Sequence, residues 1–216
     1  MYHIIEIFLH LDKYIDMFIA SYGALTYLAL FVVIFIETGL VVTPFLPGDS
    51  LIFAAAAFAA RGSLNILLLA LLLILAAFTG NALNFFLGGK FGSLLSKSRF
   101  VNPKHLKSAE DFFKKYGGMA VVLGRFAPII RTFVPFVAGI GRMNPGRFTL
   151  FNLIGCLAWV GLASAAGYFF GNIPFVKDHF SMVCIAIIVI SLLPAVATFI
   201  GERRRARRNP GGGGAA

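Results

Sequence analysis

The hydrophobic pattern of the chain consists of long apolar runs, and three of them continue far enough to cross a membrane. They cover residues 66–87, 148–171 and 180–200, and none contains an Asp, Glu, Lys or Arg residue. A helix of about 20 apolar residues spans the roughly 30 Å of hydrocarbon in a bilayer. We therefore predict three transmembrane helices, the first of them extending over about 64–88.

Two other apolar regions, residues 24–60 and 116–141, are interrupted. The first contains Thr43-Pro-Phe-Leu-Pro-Gly-Asp-Ser50, and the second contains Pro128, Pro135 and Gly139. Proline removes a helix donor and clashes with the preceding turn, and backbone groups freed at membrane depth need partners from protein or from a wet cavity. Each region is therefore predicted to form a re-entrant hairpin instead of one straight span.

Each predicted hairpin is followed by a spanning helix, which suggests two copies of one unit. Pro44-Phe-Leu-Pro-Gly48 resembles Pro135-Phe-Val-Ala-Gly139, and Asn84-Phe-Phe-Leu-Gly88 resembles Gly167-Tyr-Phe-Phe-Gly171. An odd number of crossings between the units would invert one of them, and inverted repeats with broken helices are a recurrent transporter architecture. The predicted fold is an all-α integral membrane protein with such a repeat and an extra C-terminal transmembrane helix.

The two ends of the chain differ from this membrane domain, which we predict over residues 23–201. Residues 1–22 have apolar positions at helical spacing and predict an amphipathic N-terminal helix. Their acidic residues Glu6, Asp12 and Asp16 argue against a signal peptide. Residues 202–216 contain five arginines within 203–208, followed by a glycine run, so a basic and flexible tail is expected.

Composition supports the membrane assignment. Of the 216 residues 59% are hydrophobic and 13% are charged, whereas soluble domains have about 25% charged residues. The net charge of +10 comes from basic clusters beside the apolar spans. This distribution follows the positive-inside rule and predicts that the basic loop 92–118 and the C-terminus are cytoplasmic. It also favours anionic lipid headgroups as partners and not nucleic acid.

Four ionisable residues lie where the chain should be in lipid: Glu37, Asp49, Arg125 and Arg131. A charge at the bilayer centre costs about 2.5–3.5 kcal/mol on insertion scales. The acids lie in the first predicted hairpin and the arginines in the second, so together they form a formally neutral group. We call these four residues the charge cluster.

The charge cluster has a structural and a functional interpretation. Structurally, Asp49 could cap the helix that follows it, and the arginines could form ion pairs with the acids. Functionally, Glu37 and Asp49 are protonatable groups, and Arg125 and Arg131 suit bidentate binding of a phosphate or carboxylate. The sequence leaves both interpretations open.

Other candidates for lining a cavity are Asn81, Asn84, Pro128 and Pro135. The asparagines, together with Asn152, are also typical of hydrogen bonds between membrane helices. Cys156 and Cys184 lie in apolar runs and predict neither a zinc site nor a disulfide. Motifs of zinc hydrolases, Walker-type ATPases and serine hydrolases are missing from the sequence, so we expect no enzyme, no metal and no cofactor.

The motifs around the charge cluster resemble the DedA family of bacterial membrane proteins, related to the SNARE-associated Golgi or VTT-domain proteins. The resemblance covers roughly residues 20–200. It rests on Glu37 with the proline-rich motif at 44–50, on Gly80-Asn-Ala-Leu-Asn-Phe-Phe-Leu-Gly88, and on Gly124-Arg-Phe-Ala-Pro-Ile-Ile-Arg-Thr-Phe-Val-Pro-Phe-Val-Ala-Gly139. Family members often carry Asp at the position of Asn81 and Arg near Lys90, and the chain departs from the family there.

The resemblance implies an inner-membrane transporter with two opposed re-entrant hairpins. Members are linked to recycling of undecaprenyl phosphate and to the proton motive force. By motif match, Glu37 and Asp49 correspond to the family's essential acids, and Arg125 and Arg131 to its essential arginines. We therefore expect proton-dependent flipping of undecaprenyl phosphate from the outer to the inner leaflet, in which the arginines hold the phosphate and the acids take up protons.

Three alternatives remain open at this stage: a phospholipid scramblase, a proton-coupled exporter of small cations, and a membrane-assembly factor. The oligomeric state is also open, and a homodimer is one option.

Overall fold

The structure, a computed structural model, describes residues 11–40, 48–95, 103–127, 130–174 and 176. Within these ranges every regular element is helical, which confirms the all-α prediction. The elements, in chain order, are α1 (Leu11–Gly39), α2 (Gly48–Ala60), α3 (Ile66–Leu95), α4 (Pro103–Tyr116), α5 (Met119–Leu123), a 3-10 turn (Gly124–Phe126), α6 (Ile130–Ile140) and α7 (Pro145–Gly171).

Three of the described helices are long and apolar enough to cross a membrane: Ser21–Gly39, Ile66–Gly92 and Pro145–Gly171. The last two confirm the predicted spans at 66–87 and 148–171. The predicted span at 180–200 lies outside the described residues, as do residues 1–10 and the tail at 202–216.

The first predicted hairpin consists of one long and one short helix. Its first arm belongs to the 19-residue apolar segment Ser21–Gly39, which at 1.5 Å per residue is roughly 28 Å long. Its second arm is α2, with 13 residues or roughly 20 Å. The first arm is therefore long enough for a full crossing, and the re-entrant path of the region stays a prediction.

A glycine separates the predicted N-terminal helix from the membrane domain. Helix α1 continues through both segments, but Gly23 has non-helical backbone angles, φ 19° and ψ −90°, and kinks the helix. This kink lies at the boundary predicted between residues 1–22 and 23–201. The amphipathic character of the N-terminal segment stays a prediction.

The second broken region is interrupted just before Pro128. Helix α5 ends at Leu123, the 3-10 turn follows, and Ala127 is extended at φ −109° and ψ 108°. A residue before proline is pushed out of the helical region by the proline ring. Pro135, in contrast, lies inside α6 and does not end it, so only one of the two prolines coincides with the break.

The predicted basic loop at 92–118 contains a helix, and its cytoplasmic location stays a prediction. Helix α4 occupies 14 residues of it. Its Leu106 and Ala109 are buried in one hydrophobic cluster with Phe133 of α6 and Phe148 of α7. The basic segment is therefore packed against the membrane helices on its apolar side.

Two glycines allow α3 to pack closely against α6. A Cβ atom on Gly88 would overlap the carbonyl oxygen of Phe136, and one on Gly92 would overlap the side chain of Ile140. Small residues four positions apart let two membrane helices approach at their backbones. Helix α3 therefore packs on the second arm of the hairpin that follows it.

The same arrangement recurs between α7 and α2. A Cβ atom on Gly167 would overlap the carbonyl oxygen of Phe53, and one on Gly171 would lie 2.8 Å from the Cα of Ala57. Each spanning helix thus packs its glycine pair on the hairpin arm of the other unit. This exchange of partners is what a two-fold repeat would produce.

The contacts correct the register of the repeat. The sequence motifs matched Gly88 with Gly171, whereas the packing makes Gly88 the counterpart of Gly167, one helical turn earlier. The match of Gly48 with Gly139 is also wrong, because Gly48 begins α2 while Gly139 lies near the end of α6. Abundant Gly and Phe produced the false register.

Candidate functional site

Arg131 joins both acidic residues of the charge cluster. It lies in the first turn of α6, and its Nη1 atom is 2.8 Å from Oδ1 and 2.9 Å from Oδ2 of Asp49. Its Nη2 atom forms an ion pair with Oε1 of Glu37. The structure thus brings three of the four predicted residues together from α1, α2 and α6.

The two acids differ in exposure. Glu37 is 1% exposed, whereas the Asp49 side chain is 54% exposed. Asp49 lies in the first turn of α2, where a helix favours negative charge. Gly48 provides the room for Glu37, because a Cβ atom there would overlap the Glu37 carboxylate. Arg131 therefore bridges one acid that is sealed in the protein and one that is accessible.

Trp159 of α7 connects this ion-paired group to Arg125. Its Nε1 atom donates a hydrogen bond to Oδ1 of Asp49 at 2.8 Å. Its ring centroid is 5.8 Å from the Cζ of Arg125 and 5.5 Å from the Cζ of Arg131, within the range of cation–π attraction. Both guanidinium groups thus lie against one aromatic ring.

Trp159 was missed by the sequence reasoning, although it is the only tryptophan in the chain. A tryptophan N–H in an apolar helix normally finds an acceptor when it is buried. That rule could have directed attention to it.

Arg125 has different partners from Arg131. Its Nη2 atom lies 2.7 Å from Oδ1 of Asn152 and 2.9 Å from Sγ of Cys156. The side chain is directed at α7, where Gly155 leaves room for it, because a Cβ atom there would lie 2.9 Å from the Arg125 side chain. In the part of the chain that the structure describes, Arg125 has no carboxylate partner, so the prediction of paired arginines holds for Arg131 alone.

The charges of the site are consequently distributed unevenly. Arg131 with Glu37 and Asp49 carries one formal negative charge, while Arg125 carries one positive charge and is 4% exposed. Arginine cannot lose its proton in a protein, and a buried charge without a counter-ion is costly. Arg125 is therefore a suitable place for an anion.

The asparagines hold the helices together around the arginines. Asn152 donates from Nδ2 to the carbonyl of Phe78 at 3.1 Å, and its Oδ1 accepts from Asn81 Nδ2 at 3.1 Å as well as from Arg125. Asn84 donates to the carbonyls of Thr38 at 3.3 Å and Thr132 at 2.7 Å. The Asn84 side chain of α3 thus connects to the backbones of α1 and α6.

A cavity of about 10 Å³ lies between the two arginines. This is the room that one water molecule needs, so the described state does not accommodate a phosphate group. Asn81 is on the cavity wall, whereas Asn84 and Pro135 are not among its described lining residues, and Pro128 lies outside the described residues. The wall consists of Thr38, Asn81, Arg125, Arg131, Thr132 and Trp159.

The fold and the site define a helical integral membrane protein with a largely buried charge cluster, of which Asp49 alone is exposed, between two short apolar helices. Residues 46–169 match the VTT domain family. The chain belongs to the DedA family of VTT-domain membrane proteins.

Relatives match over nearly the whole chain. Protein DedA of Escherichia coli (strain K12) is 44% identical over 213 residues, which cover 96% of this chain and 97% of that protein. An uncharacterized membrane protein of Mycobacterium tuberculosis (strain ATCC 25618 / H37Rv) is 38% identical over 87% of the chain and 84% of its own length. Inner membrane protein YqjA of Escherichia coli (strain K12) is 34% identical over 77% and 78%, respectively. No solved structure matches the chain.

Proposed function

We propose that the protein flips a lipid phosphate across the bacterial inner membrane in a proton-dependent cycle. Undecaprenyl phosphate is the substrate that the family resemblance indicates. The observation that carries the proposal is the burial of Arg125 without a described carboxylate partner, beside a second arginine that faces the same tryptophan ring. Two guanidinium groups around one cavity suit the oxygens of a phosphate.

Protons control the availability of Arg131. In the described state Glu37 and Asp49 occupy both terminal nitrogens of Arg131. Protonation neutralises these acids and weakens their hold on the guanidinium, which leaves Arg131 free to join Arg125 on the phosphate. Loss of the protons restores the ion pairs and expels the phosphate, so proton uptake and substrate binding favour each other.

The repeat supplies a route between the leaflets. Helices α2 and α6 are the second arms of the two predicted hairpins, and the charge cluster lies between them. We propose that the hairpins open to opposite sides as an inverted repeat, with the basic segment 92–118 and the C-terminus in the cytoplasm. The headgroup then passes through the cluster from the outer to the inner leaflet, while the isoprenoid tail stays in the bilayer.

The alternatives differ in their fit to the site. An exporter of small cations needs free carboxylates, but both acids are bound to Arg131 and the adjacent Arg125 repels cations. A scramblase remains the stronger competitor because it would also use a polar path for headgroups. The two differ in energetics, since a scramblase needs no proton gradient.

Transport in proteoliposomes tests the proposal. A fluorescent polyprenyl phosphate is reconstituted with the protein, and its movement between leaflets is followed with and without a proton gradient. We expect flux that a protonophore abolishes, and loss of that flux in Arg125→Ala and Arg131→Ala. Arg147→Ala on α7 is the matched control, because Arg147 is exposed.

The readout separates the candidate functions. Gradient-independent movement of ordinary phospholipids would support a scramblase. Wild-type flux in an Arg131→Ala variant that still folds would contradict the proposed role of the arginines. The absence of any transport by the purified protein would favour an assembly role.

A further inference from the structure

We infer that Trp159 is a third ligand of the lipid phosphate, and that the Asp49 carboxylate occupies the phosphate position in the described state. The inference rests on the proposed function and specifies how its binding site is built. It adds a residue outside the charge cluster and gives Asp49 the role of an internal substitute for the substrate.

The surroundings of Asp49 are those of a bound anion. Both of its carboxylate oxygens accept from Arg131 Nη1, at 2.8 and 2.9 Å, and Oδ1 also accepts from Trp159 Nε1 at 2.8 Å. Phosphate oxygens take the same kind of donors as carboxylate oxygens. The site that holds Asp49 is therefore chemically suited to a phosphate.

Asp49 is also the acid that can leave. Its side chain is 54% exposed, whereas Glu37 is almost fully buried. An exposed side chain can turn away from Arg131 without opening the packed interior, whereas a buried one cannot. Displacement of Asp49 would open the space between Arg131 and Trp159.

The departure of Asp49 would leave the N–H of Trp159 without a hydrogen-bond acceptor. The indole N–H is a donor only, and Trp159 is 5% exposed. A buried donor without an acceptor costs about 1–3 kcal/mol. A phosphate oxygen held by the two adjacent guanidinium groups would supply the missing acceptor.

The charged groups around Trp159 are consistent with this role. Asp49 approaches it from α2, Arg131 from α6 and Arg125 from the 3-10 turn. Beyond them, Glu37 is bound to Arg131, and the Sγ atom of Cys156 lies 2.9 Å from Nη2 of Arg125. Among the described residues the indole thus faces two cations and one anion, and that anion is replaceable.

Binding to the detergent-solubilised full chain tests the inference. Farnesyl phosphate is the probe, farnesol controls for the tail, and inorganic phosphate controls for the headgroup alone. Because Trp159 is the only tryptophan, its fluorescence reports directly on the site, and calorimetry gives the dissociation constant of each variant. We expect farnesyl phosphate to change the emission saturably and farnesol to leave it unchanged.

Two substitutions then separate the roles of the residues. Asp49→Ala vacates the site and should bind farnesyl phosphate at least threefold more tightly than the wild type at neutral pH. The double variant Asp49→Ala/Trp159→Phe keeps an aromatic ring but lacks the N–H. It should bind farnesyl phosphate about tenfold more weakly than Asp49→Ala, as expected for loss of a hydrogen bond to a charged group. Replacing Trp159 by benzothienylalanine keeps the two-ring shape without the N–H and should give the same loss if the phenylalanine variant folds poorly.

The outcomes distinguish this inference from the proposed function. Equal affinities with and without the indole N–H, in a protein that still transports, would overturn the role of Trp159 and leave the flippase proposal intact. Tighter binding of farnesol as well as farnesyl phosphate in Asp49→Ala would show that Asp49 does not stand in for a phosphate. If neither the wild type nor Asp49→Ala binds farnesyl phosphate, the phosphate site of the proposed function is itself wrong.

Discussion

Glu37 and Arg131 form an ion pair between α1 and α6, across 94 positions of sequence, and Glu37 is almost fully buried. The pair joins the first broken region of the chain to the second. In the proposed cycle the pair also determines how the site responds to protons, because Arg131 cannot bind another anion while Glu37 and Asp49 both hold it.

Removing Arg131 alone should destabilise the protein more than removing Arg131 and Glu37 together. Arg131→Leu leaves the Glu37 carboxylate buried without its cation, and breaking a buried pair in this way typically costs about 3–5 kcal/mol. The double variant Glu37→Gln/Arg131→Leu should recover a large part of this free energy of unfolding. Chemical unfolding in detergent micelles measures both.

Arg147→Leu on the exposed side of α7 is the control and should change stability by less than about 0.5 kcal/mol. Equal destabilisation in the single Arg131 variant and the double variant would contradict the claim that the unpaired Glu37 carboxylate causes the loss of stability in Arg131→Leu.

The glycines of the repeat should be intolerant of alanine in both units. In Gly88→Ala and Gly167→Ala the new methyl group meets a backbone carbonyl of the partner helix, so the helices must separate. Overpacking of this kind costs about 1–3 kcal/mol. Gly161→Ala in the same α7 helix meets nothing within 4 Å and should be neutral or stabilising, as judged by thermal unfolding.

A large loss in only one of the two glycine variants would argue against equivalent packing of the two units. Such a result would contradict the two-fold repeat but not the proposed role of the charge cluster.

The sequence predicted the helices of the fold better than it predicted which helices pack against each other. Uninterrupted apolar runs identified α3 and α7, because length and hydropathy alone decide whether a helix can span a bilayer. The break before Pro128 followed from proline geometry. The helix against which each spanning helix packs could not be predicted from length and hydropathy, because the close approach of Gly88 to Phe136 depends on tertiary packing.

The site was predicted in the same uneven manner. Charges at membrane depth are costly enough to stand out, and the pairing of Arg131 with both acids followed from their opposite charges. The neutral partners of Arg125 did not, because Asn152 and Cys156 are ordinary residues of a membrane helix. Trp159 was inconspicuous in an aromatic-rich chain until its contacts with Asp49 and both arginines were known.

A carboxylate placed next to Arg125 should block the site. Asn152→Asp puts an acid where the Asn152 oxygen lies, 2.7 Å from the guanidinium, and an internal anion would compete with the phosphate. We expect transport to fall at least tenfold at neutral pH. Acidification should restore part of it, because protonation removes the charge of the new carboxylate.

Asn172→Asp, at the exposed end of α7, is the matched control and should transport normally. Wild-type flux in Asn152→Asp across the whole pH series would contradict a role for Arg125 in binding an anion.

Asp49 should link transport to the proton gradient. In Asp49→Asn this side chain no longer exchanges a proton, so only Glu37 can change the hold on Arg131 with the gradient. We expect slower transport that a protonophore reduces by a smaller fraction than in the wild type, which should lose at least nine-tenths of its rate. Asp111→Asn, an exposed position on α4, should behave like the wild type, and a protonophore effect as large in Asp49→Asn as in the wild type would assign the coupling to another group.

An experimental structure with a bound isoprenyl phosphate, determined at acidic pH in a lipid nanodisc, tests the central claim most directly. We predict phosphate density about 3 Å from the guanidinium groups of both Arg125 and Arg131, with Asp49 displaced from Arg131. Phosphate density elsewhere, with Arg131 still held by both Glu37 and Asp49, would contradict the account.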